Sequence, residues 1–167
     1  WSKILKNVKN SKLILKSSKI LNIDRLKELF KKNGVLESVS FFERNHSFEE
    51  HLDLYQNIDI ALDTFPYNGV TTSFEAIWMN VPVLTMKGFN FNSRCGESIN
   101  KNIGINYLIA RDEREYIDKA IELSKDVEKL TSIRNKIFNE LTSSSLFDKD
   151  KFSLEFFRSL ETVYNQL

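Results

Sequence analysis

The sequence has few of the residues that announce specialised chemistry. It carries one cysteine, Cys95, in 167 residues, which excludes an internal disulfide and any cysteine-rich metal site and suits a reducing compartment. His46 and His51 are its two histidines, and with one cysteine they make no recognisable zinc spacing. The five glycines lie far apart, so neither the G-x-x-x-x-G-K-[ST] phosphate loop nor the G-x-G-x-x-G fingerprint is present. No apolar run approaches the roughly 20 residues that span a bilayer, and no signal peptide is visible. An excess of one charge is missing too. Lys and Arg total 24 against 23 Asp and Glu, a net charge of +1, which leaves no electrostatic footprint for nucleic acid. The lysines of residues 1–19 and the Lys31-Lys32 pair give a local basic bias that surface solvation explains. The chain opens at Trp1 without a methionine, so it is expected to be a fragment of a longer cytoplasmic protein.

What is present fits one ordinary globular domain, with 41% hydrophobic and 28% charged residues. Short apolar runs alternate with helical patterns, the signal for βαβ units and a parallel sheet. The periodicity predicts a helix over 1–8, strands at 13–15, 38–42, 58–62 and 81–86, and a short extended piece over 107–110. Helices are predicted over 23–32, with Leu26, Leu29 and Phe30 inward, then from Ser47 to about Tyr55, over 71–79 and over 93–101. Three more, over about 113–125, 127–141 and 149–166, make the C-terminal end helical. Asn33-Gly34 reads as a left-handed helix stop, and Ser47-Phe48-Glu49-Glu50 as a capping box. Pro82 is tolerable only at the start of its strand or at an edge. No linker or repeat divides the chain, which reads as a single domain over residues 1–167.

The most informative stretch runs from Asp59 through Leu62-Asp63-Thr64-Phe65-Pro66-Tyr67-Asn68-Gly69-Val70-Thr71-Thr72-Ser73-Phe74-Glu75. It passes from a buried strand through a loop to a helix start, and ligands of open α/β sheets bind beyond the carboxyl ends of strands. Gly69 permits close backbone approach or a positive φ. The helix's first amides, near Thr71, Thr72 and Ser73, form an anion site that the helix dipole strengthens. Both threonine hydroxyls can add donors, and Glu75 can accept from ribose hydroxyls. The bland alternative has Thr71 and Thr72 capping the helix and Glu75 complementing its dipole; chemistry alone leans that way.

The order of residues adds more. The run Phe65-Pro66-Tyr67-Asn68-Gly69, Thr71-Thr72, Glu75-Ala76-Ile77-Trp78-Met79 and Val81-Pro82-Val83-Leu84-Thr85 closely resembles the O-GlcNAc transferase family, and more narrowly its bacterial members with tetratricopeptide repeats. The resemblance continues through Ser93-Arg94, Leu108 to Asp112, Glu115-Tyr116, Ser145-Leu146-Phe147 and the last helix, essentially the whole chain. It implies a GT-B glycosyltransferase, whose two Rossmann-like halves enclose a nucleotide-sugar. This chain looks like the C-terminal, donor-binding half, a three-layer domain around a parallel sheet. By the same resemblance, Thr71 and Thr72 bind the diphosphate of a UDP-sugar, Glu75 holds the ribose, and His51 lies near the uridine. Asn68 and Gly69 shape the loop beneath the pyrophosphate. No metal or other cofactor is expected, since such enzymes generally stabilise the leaving diphosphate with helix dipoles and side chains. The implied activity moves N-acetylglucosamine from UDP to Ser or Thr of a protein acceptor bound through other parts. A UDP-glucose-dependent asparagine transferase and a non-catalytic scaffold remain as alternatives. Three positions depart from the family: Val70 replaces a histidine of the animal enzymes, Phe48 a lysine near the base, and Asn80 a glycine at a helix end. A lysine-bearing segment upstream has no counterpart here.

Other candidates carry two readings each. By residue type His46 and His51 are each either a solvated histidine or a catalytic base; the resemblance favours His51 as a ligand contact and leaves His46 nearer the solvated reading, with a backbone role for its neighbours against the nucleobase. Lys16 closes the first strand and adds positive potential for an anionic donor, or is simply solvated. Arg94 faces the phosphates or pairs with Glu97. Cys95 reads as a small packed residue rather than a nucleophile. Most of the 13 phenylalanines are expected in the core, with Phe89 and Phe91 as loop exceptions near the site.

Overall fold

A computed structural model describes residues 1–17, 22–43 and 47–166. Helix α1 (Ser2–Asn7) buries Ile4 and leads into strand β1 (Leu13–Ser17). Helix α2 (Ile23–Lys32) starts where the Asn22 side chain accepts the Arg25 amide at 3.1 Å, and stops at Gly34 with φ +69°. Phe30 is buried there, but Leu29, expected inward, is 49% exposed. Leu26 and Phe30 are four residues apart and share a face, whereas Leu29 falls to one side of it. After strand β2 (Val39–Glu43) comes helix α3 (Phe48–Asp53), opened by the expected capping box: the Glu50 amide donates to Ser47 Oγ at 3.2 Å and the Ser47 amide to Glu50 Oε2 at 2.8 Å.

Strand β3 (Ala61–Leu62), helix α4 (Thr71–Trp78), strand β4 (Val83–Met86), helix α5 (Cys95–Asn102) and strand β5 (Ile109–Ala110) continue the alternation. Helices α6 (Glu113–Leu123), α7 (Val127–Leu141) and α8 (Lys149–Tyr164) follow, each started by an aspartate that accepts the amide three residues on: Asp112, Asp126 and Asp148. Strand β1 runs on to Ser17, α3 gives way to a tight turn after Asp53, and β4 starts at Val83 rather than Val81; three further differences arise where the backbone finds another partner. The third strand is shortened from 58–62 to β3 because the Ile58 and Asp59 carbonyls accept from Arg134 of α7 instead of a strand neighbour. The helix expected from Ser93 begins at Cys95, since Asn90 caps a separate tight turn over Phe91–Ser93. Tyr107 and Leu108 lie in a similar turn rather than in β5.

All strand pairs are parallel, as the alternation predicts, but the strands hydrogen-bond as two sheets. One pairs β1 with β2, Leu13 opposite Val39, and the other has the order β3-β4-β5, with Ala61 opposite Val83 and Thr85 opposite Ile109. Pro82 stands just before β4, where its carbonyl accepts the Ala61 amide at 2.9 Å. Successive residues of β4 point to opposite faces. Val83 joins a core with Ala76, Ile77, Ile99, Ile103 and Ile137 from the α4, α5 and α7 side, while Leu84 joins Ile4, Tyr116 and Ala120 from α1 and α6. Helices thus cover both faces of β3-β4-β5, the three layers expected.

The expectation that most phenylalanines lie in the core fails, although Phe89 and Phe91 stand out of the core as expected. Among the described residues Phe30 is a buried phenylalanine, whereas Phe48, Phe65, Phe89, Phe91, Phe138, Phe152, Phe156 and Phe157 are exposed. Helix α8 buries no residue, and its phenylalanines meet one another, Phe152 on Phe156 at 5.9 Å and Phe156 on Phe157 at 6.2 Å between ring centroids. No helix among the described residues is long and apolar enough to cross a membrane.

Candidate functional site

The site grows from the carboxyl ends of β3 and β4. Asp63 continues β3, donating its amide to the Leu84 carbonyl at 2.9 Å, and the chain then leaves the sheet. The Phe65–Pro66 peptide is cis. Thr64 donates its hydroxyl to the Tyr67 carbonyl. Asn68, fully buried, donates to the Thr64 carbonyl at 2.8 Å, while its own amide reaches the Asn92 carbonyl at 2.9 Å and its Oδ1 accepts from the Gly96 amide at 3.4 Å. The loop is therefore pinned to itself, to the 90–93 turn and to the start of α5. Gly69 keeps φ out of the positive region, so its need is space. A Cβ there would lie 2.6 Å from Thr72 Oγ1 and 3.0 Å from Ser73 Oγ. The Ser73 hydroxyl donates to the Gly69 carbonyl at 3.0 Å.

The start of α4 excludes side-chain capping by the threonines. Val70, not a threonine, occupies the N-cap position, and no side chain caps the helix. Valine is among the poorest capping residues, so the first-turn amides keep their capacity to bind an anion. Thr71 and Thr72 are exposed at this end. Capping as their role is thereby corrected.

Beside this end, three of the expected residues form a chain. Lys16 Nζ lies 2.7 Å from His51 Nδ1, and His51 Nε2 lies 2.9 Å from Glu75 Oε2. An ammonium has no acceptor, so Nδ1 accepts and Nε2–H donates to the carboxylate, which sets the imidazole tautomer. The Tyr55 hydroxyl, absent from the sequence reading, donates toward the same Glu75 oxygen at 3.4 Å and to the Thr72 carbonyl at 3.2 Å. Burial first, then the Glu75 charge, raises the Tyr55 phenol above its ordinary range. His51 also packs edge-on against Tyr55 at 5.6 Å.

Arg94 resolves to its second reading. Its Nε donates to Glu97 Oε2 at 2.8 Å while Lys101 holds Oε1 at 2.8 Å. These hydrogen bonds, Lys101's foremost, keep the buried Glu97 carboxyl below the usual range. Cys95 is half-buried and contacts the Phe91 carbonyl at 3.4 Å. Phe89 and Phe91 stand out from the adjoining turn, 87% and 84% exposed. His46 lies outside the described residues, as does much of the Lys- and Ser-rich loop after β1. Among the described residues no cluster of three His, Cys, Asp or Glu side chains is arranged to hold a metal ion. A cleft of about 380 Å³ is lined in part by Trp1, Asp63, Phe65, Met86 and Tyr116.

The family model of glycosyl transferase family 41 matches residues 1–156. The chain belongs to glycosyl transferase family 41. A tomato (Solanum lycopersicum) relative named probable UDP-N-acetylglucosamine–peptide N-acetylglucosaminyltransferase SPINDLY is 34% identical over the whole chain, which covers 18% of that protein. The Caenorhabditis elegans UDP-N-acetylglucosamine–peptide N-acetylglucosaminyltransferase is 32% identical over 91% of the chain and 13% of its own length. Among solved structures, a mutant of the Thermobaculum terrenum O-GlcNAc transferase superposes with a TM-score of 0.88 at 34% identity, over 99% of this chain and 32% of that one. The family 41 chain thus has the GT-B O-GlcNAc transferase fold over a region that is under a third of these relatives' length. The sequence pattern singles out neither Tyr55, whose hydroxyl meets Glu75, nor Asp63, whose carboxylate holds the loop. Asp63 stands in plain view at the end of a predicted strand, but its partners are distant in sequence.

Proposed function

We propose that this chain is the UDP-sugar-binding half of a protein glycosyltransferase that moves N-acetylglucosamine from UDP to Ser or Thr of a protein acceptor. The observation that carries the reading is the uncapped start of α4 in a family 41 chain, set beside the Lys16–His51–Glu75 chain. The amides of Thr71, Thr72 and Ser73 and the two threonine hydroxyls receive the diphosphate. Charge gathers on that diphosphate as the sugar leaves, and fixed donors aimed at developing charge are a large electrostatic contribution to catalysis. Asn68 and Gly69 hold the loop beneath it. Glu75 takes its two hydrogen bonds from His51 and Tyr55 on Oε2, which orients the carboxylate toward the ribose, with His51 against the uridine. No metal enters this scheme, since the helix start and hydroxyls supply the positive potential. The residues belong to one donor-binding domain, and acceptor binding and any general base come from elsewhere in a longer protein. A bacterial cytoplasmic setting belongs to the same proposal, supported by the lone cysteine and by the likeness to the Thermobaculum terrenum enzyme; tetratricopeptide repeats rest on the sequence resemblance alone.

Calorimetric titration of the chain with UDP tests the reading. Weak binding is expected, with transfer absent. Thr72→Ala removes one donor to a charged group and should weaken UDP binding about tenfold. Equal binding by both proteins would sink the site assignment.

A further inference from the structure

The α4 helix start can serve a diphosphate only if the loop before it holds one conformation, and besides Asn68 a half-buried carboxylate, that of Asp63, holds both ends of that loop. Asp63 Oδ1 accepts two backbone amides, Thr64 at 2.9 Å and Gly69 at 2.7 Å. Its Oδ2 accepts the hydroxyl of the fully buried Thr85 on β4 at 2.7 Å. One carboxylate therefore grips the loop at its first residue and again two residues before α4, and is itself anchored to the central strand of the sheet. The residue's backbone is held as well, with its carbonyl accepting the Tyr116 hydroxyl of α6 at 2.9 Å. Space around it is closed by α5, where a Cβ on Gly96 would lie 2.6 Å from Oδ2 and 2.2 Å from Thr85 Oγ1. Three donors converge on an acceptor-only group, which a carboxylate can satisfy and an apolar side chain cannot. Burial pushes the carboxyl above its ordinary range, and the three hydrogen bonds pull against that shift. A buried carboxyl held against its own desolvation is a costly way to close a turn, so a turn closed this way calls for a functional reason.

We propose that Asp63 is a positioning residue for the donor diphosphate: anchored to Thr85, its carboxylate holds the Thr64 and Gly69 amides and so aims the first turn of α4 and the Thr72 hydroxyl at the phosphates. This inference rests on the donor-site reading above. It separates the two parts of the ligand, because the uridine portion is assigned to His51 and Glu75, which Asp63 does not touch in the hydrogen bonds described. Loss of Asp63 therefore weakens binding of UDP while leaving binding of uridine alone. The conservative variant behaves differently: in Asp63→Asn the side-chain carbonyl still accepts both amides, and the Thr85 hydroxyl turns to accept from the new amide group.

The test titrates UDP and, separately, uridine into wild-type chain, Asp63→Ala, Asp63→Asn and Thr72→Ala, with folding checked by circular dichroism. The expected result is an about tenfold loss of UDP affinity in Asp63→Ala, unchanged uridine affinity, and recovery to within about threefold of wild type in Asp63→Asn. If Asp63→Ala does not fold, Thr85→Ala, which removes the anchor alone, takes its place with an expected UDP loss of about threefold. Thr72→Ala binding UDP as tightly as wild type sinks the donor-site reading and this inference with it. UDP loss in Thr72→Ala with wild-type UDP affinity in Asp63→Ala, or in Thr85→Ala where that stands in, overturns the positioning role alone. Parallel loss of UDP and uridine in the Asp63 or Thr85 variant, or failure of Asp63→Asn to recover, overturns it as well.

Discussion

Asn80 stands where the family resemblance implies a glycine, and its geometry says what the side chain costs. It follows α4 at φ +59°. Its amide donates to the Ile77 carbonyl at 2.9 Å and the Val81 amide to the Ala76 carbonyl at 2.8 Å, the paired bonds of a left-handed helix end. Two penalties follow. A non-glycine residue in the left-handed region costs about 1 kcal/mol, asparagine somewhat less than most. Asn80 Oδ1 is also buried with no hydrogen-bond donor among the described residues, and an unsatisfied buried acceptor costs about 1–3 kcal/mol. Asn80→Gly removes both and adds about 0.5–1 kcal/mol of unfolded-chain entropy against folding. The net expectation is a stabilisation of about 1.5 kcal/mol. For a chain of this size that raises the melting temperature by about 3–6 °C. The bond from Arg134 to the Asn80 carbonyl at 3.2 Å involves backbone and survives the change. Asn80→Ala separates the two penalties, because it deletes the amide but leaves a Cβ in the strained region. It should fall below Asn80→Gly by at most about 0.5 kcal/mol, the strain of about 1 kcal/mol less the glycine entropy of about 0.5–1 kcal/mol. Urea and thermal unfolding followed by far-UV circular dichroism measure all three proteins. Asn80→Gly melting at or below wild type would refute the reasoning.

Arg134→Ala should destabilise the chain by about 2–4 kcal/mol, because the guanidinium spans the Ile58, Asp59 and Asn80 carbonyls at 2.7, 3.2 and 3.2 Å and bonds from charged groups are the stronger ones; urea unfolding checks it, and a loss under about 0.5 kcal/mol would show the latch to be idle. The pH dependence has two components of opposite sign. Glu115 is held at about 2, chiefly by its bonds from Arg111 and Lys119, so its contribution is present above its ordinary 4.5 and is lost as pH falls toward 2. Asp63 is raised by burial from 3.8, so the folded state binds more protons there and stability declines as pH rises from 3.8 through the raised value. Melting temperature measured against pH should therefore lose part of its acid limb in Glu115→Gln, and part of its mildly acid decline in Asp63→Asn; unchanged profiles in both would contradict the assigned causes.

What is legible in the sequence is local. The aspartates before α6, α7 and α8, the Ser47–Glu50 box and the Gly34 stop each depend on residues within about four positions, and each stands where the pattern puts it. The parallel pairing of the strands follows from the same alternation of apolar runs and helical periods, though their division into two sheets does not. What escapes is non-local. The third strand is short because Arg134, 76 residues from Ile58 in the chain, takes its carbonyl. Apolar periodicity names a face but not the partner that covers it, so it assigns the phenylalanines of α8 to a core that the helix does not reach.

The candidate site divides along the same line. Thr71-Thr72 at a helix start is equally the mark of a cap and of an anion site, and no count of residues separates the two. The position of Val70 does: one residue of offset moves the N-cap off the threonines and leaves the first-turn amides uncapped. Lys16, His51 and Glu75 come from β1, α3 and α4, and their alignment at 2.7 and 2.9 Å depends on how the elements pack, which sequence spacing does not encode. Asp63 lies further still from view. A lone aspartate after a strand is ordinary, and its role exists only because Thr85 rises beneath it from the neighbouring strand while Gly69 folds back above it. The polar groups that shape this loop, Asp63, Asn68, Thr85 and Ser73, occupy positions that an apolar pattern treats as surface, yet Asn68 and Thr85 are fully buried. Buried polar groups persist where their hydrogen bonds are met, and here two of the bonds join separate elements, Thr85 to Asp63 and Gly96 to Asn68. A search for function in such chains gains most from polar residues that are buried and shared between elements, because those are the residues whose cost the fold must offset elsewhere.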